Sequence, residues 1–352
     1  MSRVTIQSIA DHLGISKFAV SRALTGKPGV SEATRLQVHN AATELGYQNR
    51  RRTPVIGTTI EVIFRDRTVA SRELWIDVQN GVDSEAVLNG YNMAVRWTDD
   101  ASILKRLETN TAGFVLIGPQ SPTMFDAICK SPLPAVVVNH VVPPLLDIDQ
   151  ISATDIEAGV YVARYLANLG HRRVVYAHGR MGYPGRYARL RGFAEAINAI
   201  EGMELREIAF ADDQAASDLR DALLAMVNAD FEPTAFFCGS DGVAVTVVSE
   251  LMRMGLRVPE DVSVIGHADY GIATQISPQL TTVKMPHRQM GVAAVRILLG
   301  RAGGSSELEG LPAQRVSLVP QLVERQSSGP ASTRSWRSRL RGAPEISTVE
   351  GQ

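Results

Sequence analysis

The sequence predicts a small all-α helix-turn-helix headpiece followed by an α/β core of two Rossmann-like lobes. Three observations carry this. Apolar residues recur at helical spacing through the first 47 residues, broken at Gly14 and near Gly29. From Val55 onward, short apolar runs alternate with helical periodicity, the pattern of parallel sheets covered on both faces. Charge is also uneven. Residues 1–52 hold eight Lys/Arg against three Asp/Glu, although the chain as a whole sums to −1. A basic head on an acidic body suits a nucleic-acid-binding module joined to a sensor.

The headpiece is organised around Thr5–Leu24. Thr5 supplies an N-cap hydroxyl, and Ile6, Ile9, Ala10 and Leu13 form the first apolar stripe. Gly14 breaks that helix at a turn. Ser16 caps a second helix, whose Ala19, Val20, Ala23 and Leu24 repeat the stripe. Burying both stripes leaves Lys17, Phe18, Ser21 and Arg22 on one outward face. Such a face fits a DNA major groove. Ser31 caps a third helix carrying Val38, Ala41, Ala42 and Leu45. Thr34 stands where a capping box would have Glu or Gln, so the box is absent.

The run VTIQSIADHLGISKFAVSRALTGKPGVSEATRLQVHNAATELGY resembles the DNA-binding headpiece of the lactose/galactose repressor (LacI/GalR) family, densely over residues 4–47 and more loosely to about residue 325. The resemblance implies that Lys17, Phe18 and Arg22 read base edges. It places Thr5, Ser16, Ser21, Ser31, Thr34 and Tyr47 where the family contacts phosphate or supports the headpiece. Capping alone would also account for the hydroxyls.

Residues 48–54, QNRRRTP, form a short basic linker. Arg50, Arg51 and Arg52 repel one another unless phosphates meet them, which fits either a flexible tether or an arm along DNA. The family's hinge segment places a Leu at the operator centre. This linker holds no large apolar residue, so little central kinking is expected.

In the core, residues 55–326, strands are expected at 55–64, 91–95, 113–117, 135–139, 174–177, 207–210, 235–238 and 262–266. Helices are expected at 74–89, 101–107, 156–170, 186–200, 215–228, 242–255 and 287–300. By resemblance the two lobes take a periplasmic-binding-protein-like fold that dimerises. The chain then crosses between lobes near Ala153–Asp155, Thr282–Pro286 and Val316–Pro320. Open α/β sheets bind ligands beyond the carboxyl ends of their strands.

The resemblance places an effector site there, one residue at a time. Arg189, in RLRGF, matches the arginine that grips sugar or purine, and a guanidinium fork suits hydroxyls, carboxylates or phosphates. Asp155 matches a cleft-edge Asp. Ser240–Asp241 replaces an Asn-Asp pair, with Asp241 favoured as a helix cap. His267, Asp269 and Trp75 complete the set. Where the family often has Gly-Tyr/Phe-Asp-Asp, this chain reads Gly266–His267–Ala268–Asp269, which removes one carboxylate. With Arg180, Arg186, Arg189 and Arg191 close by, an anionic sugar derivative becomes a candidate effector. His140 and His178, at strand ends, read as hydrogen-bonded structural residues.

No His/Cys/Asp/Glu cluster has metal spacing, and no nucleophile elbow, Walker loop or dinucleotide fingerprint occurs. No cofactor and no enzymatic activity are expected. Cys129 and Cys238 sit in apolar contexts and read as buried thiols. No apolar run reaches membrane-span length and the N-terminus is not a signal peptide, which points to a cytoplasmic, nucleoid-associated protein. Residues 327–352, polar and without periodicity, read as a disordered tail.

The reading is therefore a dimeric transcriptional regulator of repressor type. It binds double-stranded pseudopalindromic operator DNA and is controlled by a sugar or sugar derivative in the interlobe cleft. The alternative is a regulator of the same type that has lost its effector.

Overall fold

The computed structural model describes residues 6–24, 29–45, 58–67, 73–179, 184–210, 215–302, 308 and 310–336. The expectations for Thr5, Tyr47, Arg180 and the linker, Arg50, Arg51 and Arg52 included, lie outside the described residues. The chain divides into two compact units, residues 1–56 with 89–91 and residues 57–88 with 92–352.

The first unit holds α1 (Ile6–Leu13), α2 (Lys17–Leu24) and α3 (Glu32–Glu44). Ile9, Ala10, Val20, Ala23, Val38 and Ala41 form its core, with Leu13, Ile15, Val30 and Leu45 packed around them. Gly14 takes φ +67° between α1 and α2, a conformation that costs glycine little. The Ser16 hydroxyl accepts from Ala19 N at 3.1 Å. Ser31 does the same for α3, accepting from Thr34 N at 3.2 Å.

The second unit carries two six-stranded sheets. The first is built from β1 (Thr59–Phe64), β2 (Asn92–Trp97), β3 (Thr111–Ile117), β4 (Ala135–Val138), β5 (Asp149–Ala153) and β11 (Arg315–Leu318), in the order β11-β5-β4-β3-β1-β2. All its pairings are parallel. The second uses β6 (Arg173–His178), β7 (Glu204–Ala209), β8 (Ala235–Cys238), β9 (Ser263–Ala268), β10 (Thr281–Lys284) and β12 (Gln321–Val323), in the order β12-β10-β9-β8-β6-β7. Its edge strand β12 alone runs antiparallel to its neighbour.

Along the first sheet lie α4 (Glu73–Leu88), α5 (Ile103–Leu107) and α6 (Pro122–Lys130), with α12 (His287–Arg301) returning to it late in the chain. The second sheet takes α7 (Asp155–Asn168), α8 (Pro184–Asn198), α9 (Ala215–Asn228), α10 (Asp241–Arg253) and α11 (Ile272–Gln275). The crossings between sheets follow Ala153, Lys284 and Leu318, as the sequence leads one to expect.

One packing device recurs in both lobes. A Cβ on Gly159 of α7 would collide with the Arg189 carbonyl of α8, and one on Gly192 with the Ile156 carbonyl. In the other lobe Gly81 meets the Arg288 carbonyl and Gly291 the Val78 carbonyl. Backbone thus lies against backbone, and in the second lobe this close approach brings the start of α7 against Arg189.

Several expectations are corrected. The sequence reading misses β5, β10, β11, β12, α6 and α11, all of them short. Residues 327–336 are not a disordered tail. Ser327 is fully buried, donates to Val264 O at 2.5 Å and accepts from Thr281 N at 2.8 Å. Trp336 is 1 % exposed within the apolar cluster of the second lobe. Its backbone N–H donates to Glu232 at 2.9 Å. The segment holds because it buries a large aromatic side chain, which its polar composition hides. Cys238 is buried as expected, but Cys129 is exposed, at the outer end of α6.

Candidate functional site

The headpiece presents its chemistry on α2. Burying Val20 and Ala23 turns the other side outward: Phe18 is 67 % exposed, Lys17 is exposed, and Ser21 and Arg22 are half-buried. The Arg22 guanidinium lies 4.4 Å from the Phe18 ring centroid, a cation–π contact between side chains four residues apart. The helix therefore offers a planar donor fork already laid over an aromatic ring. The hydroxyls of Ser16 and Ser31 are engaged as caps, and the Thr34 hydroxyl lies 2.8 Å from that of Ser31.

In the second unit a cavity of about 450 Å³ lies where the strands of both lobes end. The first lobe lines it with Glu73, Leu74 and Asn139, and the second with Asp155, Arg186, Arg189, Ser240, His267, Ala268 and Tyr270. Met285 and His287, at a crossing, complete it. Glu73 reaches across the lobes, accepting from Gly271 N at 2.8 Å.

Arg189 is the centre of this wall. It is 5 % exposed and donates to Asp155 Oδ1 through Nε at 3.2 Å and Nη2 at 2.9 Å. Its Nη1 donates to Gly239 O at 2.8 Å. Three of the five guanidinium N–H donors act within the protein, and Arg189 is among the residues that line the cavity. Burial pushes the Asp155 carboxyl above its ordinary range, and the neighbouring Arg189 opposes that rise.

Two histidines sit beside this pair. Burial, with Arg189 next in effect, holds His267 well below the usual imidazole range. The same two causes bring His287 down to about 4. Both are therefore neutral near pH 7, and His267 Nε2 is buried without a hydrogen-bond partner, 3.6 Å from Asp155 Oδ1. Ala268 lines the cavity with φ +117°, so the position that lacks the family's carboxylate also has an unusual backbone.

The structure does not bring all the expected residues together. Arg189, Asp155, Ser240 and His267 line the cavity, whereas Asp241, Asp269 and Trp75 do not. Ser240, not Asp241, caps α10, accepting from Val243 N. Asp241 is wholly buried and accepts from Thr282 Oγ1 at 2.5 Å and Tyr270 N at 2.7 Å. Asp269 pairs with Arg325 at 2.6 Å and lies 3.7 Å from Lys284. Trp75 is 1 % exposed on the inner face of α4, while its neighbours Glu73 and Leu74 reach the cavity. Sequence reading missed Glu73, Leu74, Asn139, Tyr270, Met285 and His287. The one available signal was their position at the carboxyl ends of strands or at a crossing.

His178 is held on both nitrogens, by Glu207 at 2.6 Å and Gly179 O at 2.6 Å. His140 departs from expectation: its Nδ1 is buried without a partner, and the ring stacks on Phe125. Among the described residues no group of three His, Cys, Asp or Glu could hold a metal ion. Among them also, no helix is long and apolar enough to cross a membrane.

Comparison with known proteins agrees with both halves. Residues 5–49 match the family described as bacterial regulatory proteins, lacI family, and residues 163–328 match a periplasmic binding protein-like domain. The HTH-type transcriptional repressor CytR of Escherichia coli strain K12 is 28 % identical over 318 residues, covering 85 % of this chain and 90 % of that protein. The probable HTH-type transcriptional repressor ExuR of Bacillus subtilis strain 168 is 29 % identical over 327 residues, covering 84 % and 91 %. A solved structure of the transcriptional regulator CelR with cellobiose superposes with a TM-score of 0.63 at 26 % identity, covering 93 % of this chain and all of that one.

Proposed function

The chain belongs to the LacI/GalR family of transcriptional regulators, and from that premise we propose that it is a dimeric repressor whose operator affinity is set by a small polar effector bound at Arg189. The observation that carries the effector reading is the buried Arg189–Asp155 pair, both residues lining a cavity of small-molecule size. The cavity is rich in donors and poor in carboxylates. Its two carboxylates are engaged within the protein, Asp155 with Arg189 and Glu73 with Gly271 N, and Ala268 supplies none. The ligand class that suits such a wall is an acceptor-bearing sugar derivative, a sugar acid or sugar phosphate before a plain polyol. The relative CelR was solved as a complex with cellobiose, which supports a carbohydrate as the ligand class.

In this reading Lys17, Phe18 and Arg22 contact base edges from the major groove. Two headpieces engage the two half-sites of a pseudopalindrome, and the protein acts in the cytoplasm, at the nucleoid. Arg50, Arg51 and Arg52 run along phosphates, and the operator centre is not sharply kinked. Circular-permutation gel shifts check the last point, and a sharp central bend would refute it.

Thermal shift of the full chain against glucose, gluconate and glucose 6-phosphate tests the effector reading, because a bound ligand raises Tm by mass action. Stabilisation that disappears in Arg189→Gln is the expected result. The loss of acceptors at Ala268 favours a second reading, a regulator without an effector. In that case no compound of the panel shifts Tm or operator affinity.

A further inference from the structure

Arg22 is not placed by its own helix alone. It lies in the last turn of α2, and its guanidinium sits 4.4 Å from the ring centroid of Phe18, four residues earlier on the same face. Phe18 takes no part in the headpiece core, which α2 supplies through Val20 and Ala23. The ring stands 67 % exposed on the outer face, and there it meets Arg22. A large aromatic side chain left outside the core gains nothing for the fold by burial, so its contact with the arginine asks for another reason.

A second residue bears on the same guanidinium. Gly29 takes φ +99°, a conformation that side chains rarely adopt. A Cβ there would lie 2.5 Å from Arg22 Nη1 and 3.7 Å from Cζ. Any residue other than glycine would therefore push the guanidinium aside. The Phe18 ring and the bare backbone at Gly29 together define its place, and Arg22 is half-buried as a result.

This arrangement suits base readout. A cation–π contact consumes no hydrogen-bond donor, so the fork keeps the geometry that matches the O6 and N7 acceptors of guanine. Arginine has many rotamers, and immobilising such a side chain at an interface costs affinity. Fixing it before DNA arrives removes part of that cost. It also restricts where the fork can point, and a fork held in one place discriminates better than one free to turn to a neighbouring acceptor.

We propose that Phe18 and Gly29 are positioning residues, which fix the Arg22 fork and thereby set the strength of guanine preference at the base pair opposite it. The proposal rests on the reading in which α2 enters the major groove, and it refines the part of Phe18. The ring's effect on base preference passes through Arg22.

Fluorescence anisotropy of the full chain tests this on an operator selected from a random DNA library and on its single-base variants. The base pair whose preference is lost in Arg22→Ala is the one that Arg22 reads. Phe18→Ala lowers the guanine preference there by about 5-fold or more, the scale of a cation–π contact and the order it brings. Phe18→Tyr keeps the preference because the π face remains. Phe18→Leu loses it although an apolar side chain remains, and Gly29→Ala lowers it too. In an Arg22→Ala background each of these changes alters base preference by less than about 2-fold. A purely structural role would weaken all operators alike and leave the preference in place. The positioning role of Phe18 is overturned by that uniform weakening, by a Phe18→Leu protein with full guanine preference, by a Phe18→Tyr protein no better than Phe18→Leu, or by a Phe18→Ala loss that persists in the Arg22→Ala background. A Gly29→Ala protein with full guanine preference overturns the part of Gly29. If Arg22→Ala itself weakens all operators equally, the major-groove reading of Arg22 falls and the proposal with it.

Discussion

The headpiece and the cleft handle polar side chains in opposite ways. On α2 the chemistry stands in the open: Phe18 is 67 % exposed, and its partner Arg22 lies one turn away on the same helix. In the cleft the charges are buried and used. Arg189 is 5 % exposed and bound to Asp155, Asp241 is fully buried against Thr282, and Asp269 is held by Arg325. A surface that reads many DNA sites needs groups available to any partner. A site that must change state on binding one small molecule can couple its charges to the fold, so that occupancy alters internal bonds. The comparison teaches that mutations in the cleft should cost stability first, and mutations on α2 should cost specificity alone.

The largest effect sharpens that contrast. Asp155→Ala leaves Arg189 buried without its carboxylate, and removing one partner of a buried pair costs about 3–5 kcal/mol. Urea unfolding of the core should show a lower midpoint with an unchanged slope. A midpoint equal to wild type would mean that Arg189 finds another partner. Trp336→Ala should cost a comparable amount, about 3–5 kcal/mol, by opening a cavity in the second lobe, and thermal unfolding reads it.

Acid reaches the same buried chemistry. His171 and His287 are both brought down to about 4, chiefly by burial. Each folded pKa lies below the unfolded value near 6.5, so the stability is fully present above pH 6.5. It is lost as pH falls toward 4, by about 3 kcal/mol per group. Denaturation midpoints measured from pH 7 to pH 4 should fall over that window, and less steeply in His287→Gln. A profile that His287→Gln leaves unaltered would show that His287 takes up its proton as readily folded as unfolded.

The smallest effect comes from the open surface. Arg22→Ala should leave the unfolding free energy within about 0.5 kcal/mol of wild type, as for an ordinary surface change. It should cost about 1–3 kcal/mol at one operator position and relax the preference there. Binding titrations over single-base operator variants measure this. Uniform weakening across all variants would assign Arg22 to phosphate.

The same contrast governs what the sequence revealed. The outward face of α2 was legible because helix period, the Ser16 cap and the outward residues lie within one short stretch, all of it local information. The strand–helix alternation was legible for the same reason, whereas the three crossings came from the family resemblance. The fate of the cleft acids was not. Asp269 and Arg325 are 56 residues apart, Asp241 and Thr282 are 41, and no spacing rule links them. Trp75 was assigned to the site by resemblance alone, but it is buried on α4, and Glu73 and Leu74 line the cavity instead. Trp336 was hidden in a polar stretch, and the apolar cluster that receives it is built from distant strands and helices.

The central claim is that occupancy of the buried cleft controls the exposed reading face. The most direct measurement is fluorescence anisotropy of the full chain on an operator selected from a random DNA library. It is made without ligand and with saturating gluconate, glucose 6-phosphate, cellobiose or cellobionate. At least one of these should shift the operator Kd by 5-fold or more, the lower range of ordinary allosteric coupling. Arg189→Gln should remove the shift and leave tight operator binding in place. Operator affinity that none of these compounds alters, or a shift that persists in Arg189→Gln, would contradict the account.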